Sequence, residues 1–187
     1  MKKLEKIIND LDSKLKALEL KQDETLALNR EVVRLSARAI RDLHTNNEKE
    51  CKKNVSELEK KVSELKKIKE FDNIARGALQ EFVEIKCLFA LLEGKEIPSY
   101  EELGVSYQVW LSGLSDCVGE LRRALLIAIK NSDSLRAEEL FSQMENIYDN
   151  LMVLKYSSSL VGDLKRKQDL LRGMVEASRS DLLRLKN

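Results

Sequence analysis

The scarcity of helix-breaking residues is the feature that most constrains the fold of this chain. Among its 187 residues there are seven glycines and a single proline, Pro98, whereas glycine and proline together average roughly 12% of a protein. An all-β fold needs many turns and a dinucleotide-binding α/β fold needs glycine-rich loops, so both classes are poorly supported. With 43% apolar and 35% charged residues, the chain is predicted to be all-α, with an apolar core beneath a charged exterior.

Apolar residues recur at helical spacing along most of the chain. From Leu4 to Leu18, five of them follow one another at alternating steps of four and three residues, which predicts an amphipathic helix with a narrow apolar seam. Helical character then continues to about Leu43. No linker, repeat or low-complexity tract divides the chain, so we expect one helical domain over residues 1–187. Further helices are predicted over residues 55–68, 75–92, 107–130, 135–154 and 160–185.

The charge balance limits which partners the whole molecule attracts. Lys and Arg total 33 and Asp and Glu total 32, a net charge of +1, so nucleic acid must be attracted by local clusters of positive charge or by several subunits together. There is no opening apolar run typical of a signal peptide and no uncharged apolar stretch of about 20 residues, so we expect no membrane partner. The three cysteines are odd in number and widely spaced, which predicts free thiols and a cytoplasmic location.

Two predominantly apolar helices each carry a pair of carboxylates. Glu81 and Glu84 are three residues apart and Asp116 and Glu120 are four apart, so each pair shares one face of its helix. Burying such acids costs several kcal/mol without compensation. One form of compensation is a network of basic partners, and the other is a divalent cation, since oxygen ligands suit Mg²⁺ or Mn²⁺. The spacing alone leaves both interpretations open.

Arginines offer positive charge for either a buried ion-pair network or a phosphate-binding surface. Four of them follow one face of the first helix at steps of four, four and three residues, and we call these the arginine stripe. Pairing with Glu31, Asp42 and the core acids is the alternative to contact with phosphate. The candidates are the stripe residues Arg30, Arg34, Arg38 and Arg41, together with Arg122 and Arg123 beside Glu120.

Several other enzyme classes lack their required residues. His44 is the only histidine, so Ser-His-Asp catalysis and a di-iron centre are both disfavoured, and we expect His44 to be a side chain at a helix end or an interface. The chain also has no Gly-rich phosphate loop with a following Lys-Ser or Lys-Thr. Tyr107 and Trp110 could stack on bases, but their place at the start of an apolar helix favours the core or an interface.

The acidic segments carry a resemblance to a known family. Residues 78–84 (Ala-Leu-Gln-Glu-Phe-Val-Glu) and 110–121 (Trp-Leu-Ser-Gly-Leu-Ser-Asp-Cys-Val-Gly-Glu-Leu) resemble the translin family, particularly its catalytic branch, translin-associated factor X (Trax). Residues 30–44 are similar to the family's first-helix segment, and residues 151–175 are compatible with its last helix. The similarity therefore spans nearly the whole chain with helices in matching order.

The resemblance implies a protomer of about seven helices that assembles into a hollow octamer and takes RNA or single-stranded DNA inside. In Trax-like members the acids of the two segments form a Mg²⁺-dependent endoribonuclease centre. The resemblance puts the family's two glutamates on Glu81 and Glu84 and its aspartate on Asp116, the three implied metal ligands. Glu120 also matches and is the fourth implied catalytic acid. Because the translin branch lacks the complete acid set, Asp116 favours the Trax-like branch.

This chain also departs from the family's eukaryotic members. It is shorter, and residues 94–106 replace their long insertion between the third and fourth helices. We therefore expect a self-sufficient homo-oligomer that cuts single-stranded RNA. The alternatives are a translin-like protein that binds single strands without cutting them, and a helical adaptor with no affinity for RNA.

Overall fold

A computed structural model of the chain describes residues 2–185, and within that range it contains seven helices and no strand. The all-α prediction is confirmed. Met1, Lys186 and Asn187, the ends of the predicted 1–187 domain, lie outside the described residues. The helices are α1 (Lys2–His44), α2 (Glu48–Leu65), α3 (Asp72–Leu92), α4 (Tyr107–Lys130), α5 (Ser134–Met152), α6 (Ser158–Val161) and α7 (Leu164–Leu185).

The predicted helix boundaries agree best where the capping signals are clear. α4 begins and ends at the predicted residues, because the Ser106 side chain accepts a hydrogen bond from the Val109 amide and caps the first turn. α2 begins at Glu48, directly after Asn47, in agreement with the break predicted at Thr45-Asn46-Asn47, where an asparagine before the Glu-Lys-rich sequence suits a helix cap. The predicted last helix over 160–185 is instead divided into α6 and α7 by Gly162, whose φ of 65° is left-handed and breaks the helix.

Two helices form the centre of the bundle. α3 packs against α1 and α4, and α4 packs in addition against α5 and α7. Both central helices bury large side chains completely, among them Ile85 and Leu88 on α3 and Leu121 and Leu125 on α4. The two predominantly apolar helices of the sequence therefore supply much of the core. No helix in the described part of the chain is long and apolar enough to cross a membrane.

The first part of α1 is not packed into the bundle, although Lys21 pairs with Glu70 at 2.5 Å. Every residue from 2 to 24 is exposed, and Thr25 is the first buried residue of the helix. At 1.5 Å per residue this segment, which we call the arm, extends roughly 34 Å. The apolar seam lies along it: Leu4 is 61% exposed, Leu11 46% and Leu15 62%. A soluble monomer rarely leaves a continuous apolar row open to water.

Candidate functional site

Close packing of α3 against α4 brings the predicted acids together. At Gly113 of α4, a Cβ atom would lie only 2.6 Å from the Gln80 carbonyl oxygen and 2.6 Å from the Val83 Cβ of α3. Only a residue without a side chain allows the two helix backbones to approach so closely. Glu81 and Glu84 follow this crossing on α3, and Asp116 and Glu120 follow it on α4. We call these four residues the acid cluster.

The members of the acid cluster interact electrostatically. Glu84 is 8% exposed, and burial, with the neighbouring charges of Glu81, Asp116 and Glu120 adding to it, raises the pKa of its carboxyl to about 8. The pKa of Glu81 is also raised, first by burial and then by Asp116 and Glu120. Like charges held close together in a partly buried site favour the protonated form. The structure therefore brings all four predicted acids into one electrostatic unit.

Asp116 has a basic partner that the sequence analysis did not identify. Lys167 of α7 donates from Nζ to Asp116 Oδ1 at 2.5 Å and to the Ser112 carbonyl at 3.3 Å. Gln80 Nε2 donates to the other carboxylate oxygen, Oδ2. Lys167 is only 5% exposed. Its ammonium also partly counteracts the raised pKa values of Glu81 and Glu84.

The sequence contains a signal that could have identified Lys167. Leu164, Lys167 and Leu171 are spaced three and four residues apart and are all buried, so the lysine interrupts the apolar face of an otherwise ordinary amphipathic helix. The basic partners predicted for the acids were all arginines, whereas the residue in contact with Asp116 is a lysine.

His44 also belongs to the site. The prediction placed it at a helix end, and it is the last residue of α1. However, its side chain is 4% exposed and its Nε2 donates to Glu120 Oε2 at 2.6 Å. This hydrogen bond, supported by Arg123 Nη1 at 3.6 Å, holds the pKa of Glu120 below its usual value. The predicted position at a helix end is therefore confirmed, whereas the contact with Glu120 was not predicted, because a contact across 76 residues carries no local sequence signal.

A cavity of about 280 Å³ opens beside three of the acids. Leu170, Leu171 and Met174 of α7 form an apolar wall opposite Glu81, Glu84 and Asp116, and Lys167 lies between the two sides. The volume is of the size that a small ligand or a hydrated ion occupies.

The donor chemistry of the acid cluster fits a hard divalent cation, because carboxylate oxygens are the preferred ligands of Mg²⁺ and Mn²⁺. Burial, and then the charges of the neighbouring acids, raise the pKa values of Glu81 and Glu84, and a bound cation would offset both causes. In the described residues, however, no three His, Cys, Asp or Glu side chains are arranged as a ready set of metal ligands. Lys167 and Gln80 engage both oxygens of Asp116, so metal binding requires this carboxylate to turn.

The predicted arginines separate into two groups. Arg30, Arg34, Arg38 and Arg41 are all exposed on α1, and none forms an ion pair with another described residue. Their predicted partners are engaged elsewhere: Glu31 pairs with Lys61 at 3.1 Å, and Asp42 accepts a hydrogen bond from Asn54 at 2.7 Å. The arginine stripe is therefore a surface of uncompensated positive charge.

The other two arginines are already engaged. Arg122 binds Asp181 at 2.9 Å and Ser178 Oγ at 2.5 Å, which ties α4 to α7. Arg123 is half exposed and pairs weakly with Glu120. Of the two aromatic candidates, Trp110 packs against the core and donates to the Pro98 carbonyl at 2.8 Å, whereas Tyr107 is 45% exposed.

Comparisons with known proteins define the class of this helical protein. The translin family model matches residues 2–177. The chain therefore belongs to the translin family.

Particular relatives are similar over most of their length. The chain is 35% identical over 167 residues to uncharacterized protein MJ0175 of Methanocaldococcus jannaschii. The aligned region covers 87% of this chain and 75% of that protein. Among solved structures it is similar to AfC3PO at 29% identity, with 96% of each chain covered and a TM-score of 0.88. A complex of AfC3PO with duplex RNA gives 28% identity and the same TM-score and coverage. Apo-NeC3PO gives 25% identity, a TM-score of 0.88 and coverage of 95% of this chain and 96% of that chain.

Proposed function

We propose that this protein is a Trax-like, metal-dependent endoribonuclease that cuts single-stranded RNA. The observation that carries the proposal is the acid cluster: four carboxylates on two packed helices, two of them with raised pKa values, beside an open cavity. Four neighbouring carboxylates repel one another and destabilise the fold, so a purely structural role does not explain them. Acids with perturbed pKa values in a cleft are typical of functional sites. The similarity to AfC3PO, solved with duplex RNA, supports RNA as the ligand.

Each residue has a distinct task in this proposal. Glu81, Glu84 and Asp116 would hold Mg²⁺ or Mn²⁺, and the bound ion would stabilise charge on the scissile phosphate and lower the pKa of a water molecule. His44 holds the Glu120 carboxylate in one orientation, so that Glu120 can position a water or a ligand from outside the metal shell. The arginine stripe ends at Arg41, one helical turn before His44, and can bind the phosphates that flank the cut.

We further propose that the protein works as a homo-oligomer, an octamer as the family resemblance implies. The exposed seam of the arm supports assembly, since pairing the seam with a second copy would remove its leucines from water. Placing several arginine stripes around one enclosed space would also supply the positive charge that a net charge of +1 lacks. Three buried free thiols agree with the reducing cytoplasm as the proposed location.

The test is cleavage of a labelled single-stranded RNA, with duplex RNA in parallel, in Mg²⁺ and in chelator. Glu81→Gln is the sharpest variant, because Glu81 forms no ion pair in the described structure and its neutralisation should not unfold the protein. We expect Glu81→Gln and Asp116→Asn to lose cleavage and keep RNA binding. Asp149→Asn, an exposed aspartate on α5, is the matched control and should cut like the wild type.

A binding protein without catalysis is the second candidate, and the engagement of both Asp116 oxygens by Lys167 and Gln80 favours it. It predicts that the wild type binds RNA in Mg²⁺ and never cuts it. A helical adaptor would not bind RNA at all. One filter-binding measurement together with the cleavage assay separates the three.

A further inference from the structure

Lys167 is a buried cation inside a site whose acids have the chemistry of metal ligands. Its helix presents three basic residues in succession, and only the third is buried: Lys165 and Arg166 are exposed, whereas Lys167 is 5% exposed. A lysine is almost never buried unless it is paired. Here the partner is Asp116, with Nζ 2.5 Å from Oδ1.

The charges of the metal-free site are close to balanced because of this lysine. Glu120 already has its own partners, His44 Nε2 at 2.6 Å and Arg123 Nη1 at 3.6 Å, and Glu84 is 8% exposed. Lys167 compensates Asp116 and also faces Glu81 and Glu84 across the cavity. Without its ammonium, Asp116 and Glu81 would be left with no positively charged partner in the described structure.

We propose that Lys167 is a built-in counter-cation that competes with the divalent metal for Asp116. This inference rests on the proposed metal site. In the metal-free protein the ammonium holds Asp116 and keeps the acid cluster folded. Metal binding requires Asp116 to exchange its contact with Lys167 for a contact with the ion. The ion must therefore displace the ammonium from Asp116 and then bind close to this positive charge. Lys167 therefore lowers the affinity for the metal and makes the fold independent of it.

The test measures Mn²⁺ binding directly, by isothermal titration calorimetry and by the loss of the free Mn²⁺ signal in electron paramagnetic resonance, on the full chain in its native assembly. Removing a positive charge a few ångströms from the ion should tighten Mn²⁺ binding at least about tenfold in Lys167→Met. In chelator the same variant should melt at a lower temperature than the wild type, and Mn²⁺ should raise its melting temperature by more. Lys165→Met, which removes an exposed charge two residues away, should match the wild type in all measurements.

A second variant, Lys167→Gln, provides the test if Lys167→Met is unfolded in chelator. In that case Mn²⁺ must refold it, and Lys167→Gln, which retains a hydrogen-bond donor, must show the tighter binding. Unchanged or weaker Mn²⁺ binding in both variants would overturn the role of Lys167. If the wild type still cuts RNA with Mg²⁺, that result leaves the proposed function intact. If no variant binds Mn²⁺ and no RNA is cut, both ideas fail together.

Discussion

The close approach of α3 and α4 at Gly113 makes a quantitative prediction. In Gly113→Ala the new methyl group would lie 2.6 Å from the Gln80 carbonyl oxygen, 2.6 Å from Val83 Cβ and 2.8 Å from Val83 Cγ1. Ordinary contacts begin near 3.4 Å, so α3 must move away by roughly 0.8 Å. Neither neighbour can rotate aside, because one is backbone and the other is a buried β-branched side chain.

Two opposing terms set the size of the effect. Overpacking in a core costs about 1–3 kcal/mol, whereas replacing glycine by alanine within a helix gains up to about 1 kcal/mol. We therefore expect a net loss of up to about 2 kcal/mol in the free energy of unfolding. Gly119→Ala is the matched control on the same helix, since no atom lies within 4 Å of its added Cβ. It should gain about 0.5–1 kcal/mol.

The assay is urea unfolding followed by circular dichroism in chelator, with the two variants compared under identical conditions. Because both variants gain the same helix term, they should differ by the overpacking cost, about 1–3 kcal/mol, with Gly113→Ala the less stable. Displacing α3 also moves Gln80 and Glu81 away from Asp116, so RNA cleavage should fall in Gly113→Ala and not in Gly119→Ala. If Gly113→Ala is as stable as Gly119→Ala, the helices do not need the glycine and our account of how the acids are brought together is wrong.

Three further predictions concern the other parts of the molecule. The folded protein keeps the Glu84 proton up to about pH 8, whereas in the unfolded chain the same carboxyl has an ordinary pKa of 4.5 and loses its proton at lower pH. The free energy of unfolding in chelator should therefore fall as the pH rises from about 5 to 8. Glu84→Gln should flatten this pH dependence of the melting temperature. Arg34→Gln with Arg38→Gln should weaken RNA binding and reduce the salt slope by about 0.7 for each lost phosphate contact, measured by filter binding. Leu11→Glu with Leu15→Glu should lower the mass of the assembly measured by light scattering, because charges replace the seam.

Each of these predictions has a control in an equivalent setting. Glu57→Gln neutralises an exposed glutamate and should leave the pH dependence unchanged. Arg184→Gln removes an exposed arginine at the far end of α7 and should keep the salt slope. Leu135→Glu changes a leucine that is 79% exposed but lies outside the seam, and the assembly should persist. A control that behaves like its test variant would contradict the corresponding assignment.

The sequence was sufficient for the helices because apolar spacing is a local signal, whereas the meeting of the two carboxylate pairs was implied by the resemblance to the translin family. Apolar spacing and the scarcity of glycine and proline define α1, α3 and α4, and the two carboxylate pairs lie on adjacent central helices. The partners of the acids could not be predicted in the same way. Lys167 contacts Asp116 across 51 residues and His44 contacts Glu120 across 76, so both depend on the packing of helices that are distant in the chain. The break at Gly162 was missed because the apolar spacing continues on both sides of it.

α1 is a single helix of 43 residues, and it carries both the seam of the arm and the arginine stripe. Because each residue turns the helix by about 100°, the angle between seam and stripe is fixed by the number of residues that separate them. A single-residue deletion between them would turn one against the other by about 100°, whereas the loss of seven residues would nearly restore the phase and shorten the helix by about 10 Å. In an assembly joined through the arm, α1 would therefore transmit the rotational orientation of the seam to the arginine stripe. The way in which two subunits meet would determine the direction in which every arginine of the stripe points.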